Sequence, residues 1–134
     1  MSERHRSAAH TIAVAGLAGV FAYQGLVPKV WKADPSEVAL WEAHGVPRPR
    51  ATRIVRAVGA AEATFGIVTV ARQHQRWPFA IALTAMPAVA LAAGTTDRSL
   101  LSKNFSPISL GVAVVALAGV ALATSRGASP SRSR

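Results

Sequence analysis

The sequence contains no cysteine. Thiol–disulfide chemistry, cysteine-ligated zinc and iron–sulfur clusters are therefore excluded within this chain, although nothing follows about its redox compartment. Acids are scarce as well. Six Asp and Glu stand against 15 Lys and Arg in 134 residues, a formal net charge of +9. Charged residues make up 16% of the chain, where a soluble domain carries about 25%. The shortfall is uneven: most charges sit in a few short segments, and the stretches between them are almost free of charge. That is the distribution of a membrane protein.

A surplus of base also suits nucleic-acid binding, but there Lys and Arg gather on one face or one helix. Here they flank apolar runs, as beside membrane spans, and no nucleic-acid partner is expected. The organisation expected is a basic N-terminal tail at residues 1–7, a transmembrane domain at residues 8–123 and a basic, Ser-rich disordered tail at residues 124–134. The last tail reads as a solvated segment near anionic headgroups.

Four apolar runs carry the domain, at about residues 8–27, 54–71, 78–93 and 108–123. They approach the ~20 residues needed to cross ~30 Å of hydrocarbon. The third and fourth are short, and are expected to extend into their flanks or to span a thin bilayer. The rival is a soluble bundle of Ala-rich helices, but the runs lack the polar stripe such helices need. A signal peptide is a second rival, yet three more apolar runs follow "MSERHR" and no soluble domain does. Trp31, Trp41 and Trp77 lie beside or between the runs, as in an aromatic belt. Pro87 interrupts the third run and is expected to kink it. Four spans place both termini on one side. The basic residues divide almost evenly between the two sides, and the short, nearly acid-free segments set the termini on the cytoplasmic side of a multi-pass cell-membrane protein.

The first loop is too long for a turn, and "DPSEVALWEAHG" explains why. Asp34 is a good N-cap, Pro35 fits the first helical position, and Glu37 completes a capping-box spacing. Gly45 suits the position after the helix. The expected helix runs about 35–44, with Val38, Leu40 and Trp41 as its apolar side, on the membrane surface or over the bundle mouth.

These residues resemble the DoxX-like membrane proteins. The resemblance rests on Tyr23, Gly25, Pro28 and Lys29 at the end of the first run, Glu37 in the loop helix, and Gly59, Glu62 and Gly66 in the second run. "NFSPISLGV", with Asn104 and Pro107, looks like the family's entry into its last span. The similarity covers about residues 10–123; the third run matches only in hydrophobicity, and Gln24 stands where many relatives are expected to carry His or Glu. It implies a four-helix integral membrane protein and an association with quinone-linked oxidation.

Glu62 is the residue that most needs explaining. On a helix it shares a face with Val55, Val58, Gly59, Phe65, Gly66 and Thr69. The two glycines let another backbone approach, and serve helix packing. A carboxylate at that depth is costly unless a cation or several donors reach it. Either it is a strut, bonded to Tyr23, Thr84 or a backbone carbonyl, or it is a site that carries a proton or anchors the polar head of a quinone or similar amphiphile. Lys29 reads first as a snorkelling interface residue and second as the partner of Glu37 or Glu62. Tyr23 reads first as a belt residue, then as a ligand contact, and Asp34 and Glu37 first as helix caps. His5, His44 and His74 lie outside the runs and His10 at the start of one, so haem is not expected. No metal set, phosphate loop or catalytic triad is visible.

The sequence therefore reads as an all-α integral membrane four-helix bundle with a short amphipathic helix in its first loop. The expected role is an accessory or scaffolding subunit near a quinone-linked redox system. The alternative is a small-molecule binding or proton-coupled transport protein with a cavity around Glu62, with Tyr23, Lys29 and Glu37 as further candidates. Catalysis by the chain alone is not expected. No cofactor is evident, with quinone left open. The expected partners are membrane lipids and redox-enzyme subunits, with a homo-oligomer left open.

Overall fold

The computed structural model describes residues 3–96 and 107–125. Asn104, the residues before Glu3 and the tail beyond Ser125 lie outside the described residues. The fold is all-α. Helix α1 spans Glu3–Gln24 and continues as a π-helical segment, Gly25–Trp31. Then come α2 (Pro35–Ala43), α3 (Arg48–Ala71), α4 (Trp77–Thr96) and α5 (Pro107–Thr124). The described residues thus hold five α-helices, the first lengthened by a π segment. By length and composition, Ser7–Trp31 and Arg48–Ala71 can each cross a membrane; the apolar parts of α4 and α5 are shorter.

Helix α1 begins at Glu3, inside the expected tail and five residues before its apolar run; two further differences from the sequence reading each have a local reason. Helix α3 begins six residues before its apolar run. Pro47 sits at its N-cap and Pro49 in the first turn, where a missing N–H costs nothing, so the arginine-rich turns stay helical. The π segment surrounds Pro28. Proline lacks an N–H and crowds the carbonyl of the preceding turn, and a π turn is one way a helix accommodates it. The N–H of Lys32 then bonds the carbonyl of Val27 at 3.2 Å, and that of Asp34 the carbonyl of Pro28 at 2.8 Å.

Helix α2 is punctuated as its sequence suggests, with one exception. Ser36 donates to Asp34 Oδ1 from its N–H (2.8 Å) and its hydroxyl (2.5 Å). Gly45 follows the helix with φ +79°, the left-handed conformation glycine tolerates. Glu37, however, closes no capping box: the Asp34 N–H is already taken by Pro28, and the Glu37 side chain points to Lys29. Val38 is buried with Ala51 and Val55, while Val46 packs against them. This patch seats α2 on the first turns of α3. Two bonds from Ser36 hold the Asp34 carboxyl below the usual carboxylate range. Its capping contribution is therefore present above the ordinary Asp pKa and lost as pH falls through the folded value. Asp34→Ala is expected to cost about 0.5–2 kcal/mol. Limited proteolysis at neutral pH checks this: cleavage should rise in the Lys32–Val46 region and nowhere else, and an unchanged digestion pattern would remove the cap.

Helix α1 packs on α3 and α5, and α4 on α5. Their shared core is Ala13, Val14, Leu17, Phe79, Ala82, Val114, Ala118 and Ala121. So many alanines bring the backbones close. Phe21 and Phe65 meet edge to face at 4.8 Å where α1 crosses α3. At the far end of the bundle from α2, His10 joins three segments. Its Nε2 lies 2.9 Å from the Gln73 carbonyl, and its Nδ1 lies 3.2 Å from the Ala121 carbonyl and 3.1 Å from the Thr124 hydroxyl. The start of α1 and the end of α5 therefore lie together.

Candidate functional site

The site forms where the π segment crosses α3. Gly25 and Gly59 face each other there. A Cβ on Gly25 would collide with the Gly59 carbonyl oxygen and stand 2.7 Å from the Ala63 nitrogen. A Cβ on Gly59 would stand 2.5 Å from both the Gly25 carbonyl oxygen and the Lys29 Cβ. Without those two side chains the helices approach to backbone contact, and the Lys29 stem lies directly over Gly59. Gly66 serves the same packing two turns on, where a Cβ would meet the Ala18 carbonyl at 2.9 Å.

From this position Lys29 reaches two carboxylates. Its Nζ lies 2.5 Å from Glu62 Oε1 and 3.7 Å from Glu37 Oε1. The three side chains are 12%, 27% and 38% exposed for Lys29, Glu62 and Glu37 respectively. One ammonium from the π segment thus serves two acids, one from α2 and one from α3. Burial pushes the Glu37 carboxyl above its ordinary value; Lys29 opposes that, while Glu62 and Asp34 add to it. The second oxygen of Glu62, Oε2, is buried and has no hydrogen-bond partner among the described residues. A buried carboxylate oxygen without a donor bears a desolvation cost.

The structure brings Lys29, Glu37, Gly59 and Glu62 together. It leaves Tyr23 outside, 61% exposed. Thr84 donates within its own helix, to Ala80 at 3.0 Å. The partner of Glu62 is Lys29 rather than Tyr23, Thr84 or a carbonyl. Val58, expected on the inward face, is 38% exposed, whereas Val55 and Thr69 are fully buried. Among the described residues no group of three or more His, Asp or Glu is arranged to hold a metal. The π segment is the feature that sequence reasoning missed. Its signal was Pro28, one residue before the lysine it aims.

A family model described as the DoxX-like family matches residues 18–119. The chain belongs to the DoxX-like family. The match contains every residue of the site, from Gly25 and Lys29 through Glu37 to Gly59 and Glu62. No curated protein and no solved structure gave a match. Family membership of this DoxX-like chain therefore rests on the family model.

Proposed function

We propose that this DoxX-like protein is a multi-pass membrane protein that binds the polar head of a lipid-soluble molecule, a quinone by the resemblance, at the Lys29–Glu62–Glu37 triad. The membrane reading is supported by the outward faces: Ile12, Ile67 and Leu91 are 70%, 69% and 72% exposed, more apolar surface than water favours. In this reading the termini lie together on the cytoplasmic side. The observation that carries the binding reading is Glu62 Oε2, a buried acceptor without a donor, set beside an ammonium that supplies donors of its own. A quinone carbonyl would accept from the ammonium, and the hydroxyl of its reduced quinol form would donate to Oε2. With two carboxylates and one ammonium, the triad is neutral only when it holds one extra proton. Burial raises the Glu37 carboxyl, the more exposed of the two acids, which suits a site that exchanges protons with its ligand.

The accessory-subunit reading keeps one supporting observation. A Cβ on Gly19 or Gly119 would meet nothing within 4 Å, so the outer sides of α1 and α5 leave room for a helix of another chain to approach closely. Purification in mild detergent, with proteins and small molecules both read by mass spectrometry, tests the two readings together. The ligand reading expects a quinone with the parent chain and its loss in Glu62→Gln, which keeps the side-chain size but not the charge. A protein partner retained equally by both chains, with no quinone on either, would sink the ligand reading and favour the accessory one.

A further inference from the structure

We infer that the exposed arginines of α3, Arg50, Arg53 and Arg56, form a site for anionic phospholipid headgroups. The inference rests on the membrane reading above. It starts from an account of the acids. Four have described side chains, and each is engaged. Asp34 caps α2 through Ser36, Glu37 and Glu62 share Lys29, and Glu42 lies 3.8 Å from Arg48. Arg50, Arg53 and Arg56 are exposed and make no ion pair or hydrogen bond among the described residues. Any compensating charge therefore comes from outside the described residues.

Position identifies its source. The three stand at successive intervals of three residues, so they are neighbours along one side of the helix. Helix α3 has 24 residues and is about 36 Å long, about 6 Å more than the hydrocarbon it would cross. Its other end is marked by Ala71, with Arg72 the first charge beyond. Counted back from there, the hydrocarbon boundary falls near Thr52. Arg53 and Arg56 then begin on the hydrocarbon side of it, with stems along the apolar surface and guanidinium groups turned back to the headgroup level. A planar guanidinium at that level matches a phosphate through two parallel hydrogen bonds. Three in a row favour a lipid with net negative charge over a zwitterionic one, whose own ammonium competes.

The test compares the parent, the triple variant R50Q/R53Q/R56Q and a control, R72Q/R76Q, that removes two arginines near the other end of α3. Each is reconstituted in vesicles of equal parts phosphatidylglycerol and phosphatidylcholine, extracted in mild detergent, and read by native mass spectrometry for bound lipid. The parent and the control should retain several-fold more phosphatidylglycerol than phosphatidylcholine, and the triple variant should lose that preference. The preference of the parent should also fall as salt rises. Equal retention of the two lipids by the parent, or an undiminished preference in the triple variant, would overturn the inference. Alkaline carbonate extraction of the same vesicles separates the two readings. A parent chain released by carbonate overturns the membrane reading and this one with it, whereas a retained chain without lipid preference overturns this one alone.

Discussion

Gly59→Ala is expected to destabilise the protein, by about 1–3 kcal/mol or more. The sign is what makes the result informative. In an unencumbered helix the same change stabilises by roughly 0.5–1 kcal/mol, because alanine loses less backbone freedom on folding. Here the added carbon would stand 2.5 Å from the Gly25 carbonyl oxygen and 2.5 Å from the Lys29 Cβ. The first is backbone, and the second is the root of a side chain already fixed at its tip by Glu62. Neither can yield without moving the π segment away from α3. Gly119→Ala is the control, since a carbon there meets nothing within 4 Å, and it should be neutral or mildly stabilising. Thermal unfolding of both variants and the parent in one detergent decides the matter. If Gly59→Ala melts no lower than Gly119→Ala, the close approach at the site is wrong.

Lys29→Met should do as much damage by a different route. It keeps most of the stem volume over Gly59 and removes the charge. Glu37 and Glu62 are then left near one another with no cation between them. Removing one member of a fully buried pair costs about 3–5 kcal/mol; side-chain exposures of 27% and 38% for the acids place this case at the low end or below. The loss should depend on pH. Glu37 already sits above its ordinary value because of burial, and Lys29 is the group that holds it down. Without Lys29 the folded state keeps its proton to still higher pH than the unfolded chain does. Stability therefore falls as pH rises from the ordinary glutamate value through the raised folded one. The variant should melt closer to the parent at pH 5 than at pH 8. Adding Glu62→Met to Lys29→Met should recover most of the loss, because an apolar pair replaces an ion pair at little net cost. A double variant no more stable than Lys29→Met alone would show that the damage came from packing, not from charge.

What the sequence made legible was local or periodic. The α2 boundaries came from Asp34, Pro35 and Gly45, which act on their own backbone within a few residues and need no tertiary context. The helical character of the apolar runs came from their length and composition. Glu62 stood out because a lone acid in such a run is costly wherever the run packs. Its partner was harder to identify. Lys29 is 33 residues away, and whether it points at α3 or at lipid depends on the register of the π segment, which a regular helical wheel does not contain. The true start of α3 was hidden because hydropathy sees the apolar run and not the arginine-bearing turns before it. The spacing of Glu37 from Asp34 fits a capping box. The competing attraction of Lys29, together with an Asp34 N–H already held by Pro28, decided otherwise.

The two ends of the bundle also differ in when they can be completed during synthesis. The Lys29–Glu62 contact joins residues 33 apart, so it is available once the first two long helices have emerged. The His10 contacts reach Gln73, Ala121 and Thr124, the last of them 114 residues along the chain. At about 5–20 residues per second, several seconds of translation separate the two events. During that interval α1 and α3 are free to meet at the glycine crossing, while the imidazole of His10 has yet to meet α5. The residues of the charged triad are thus all synthesised before the histidine clasp can be completed.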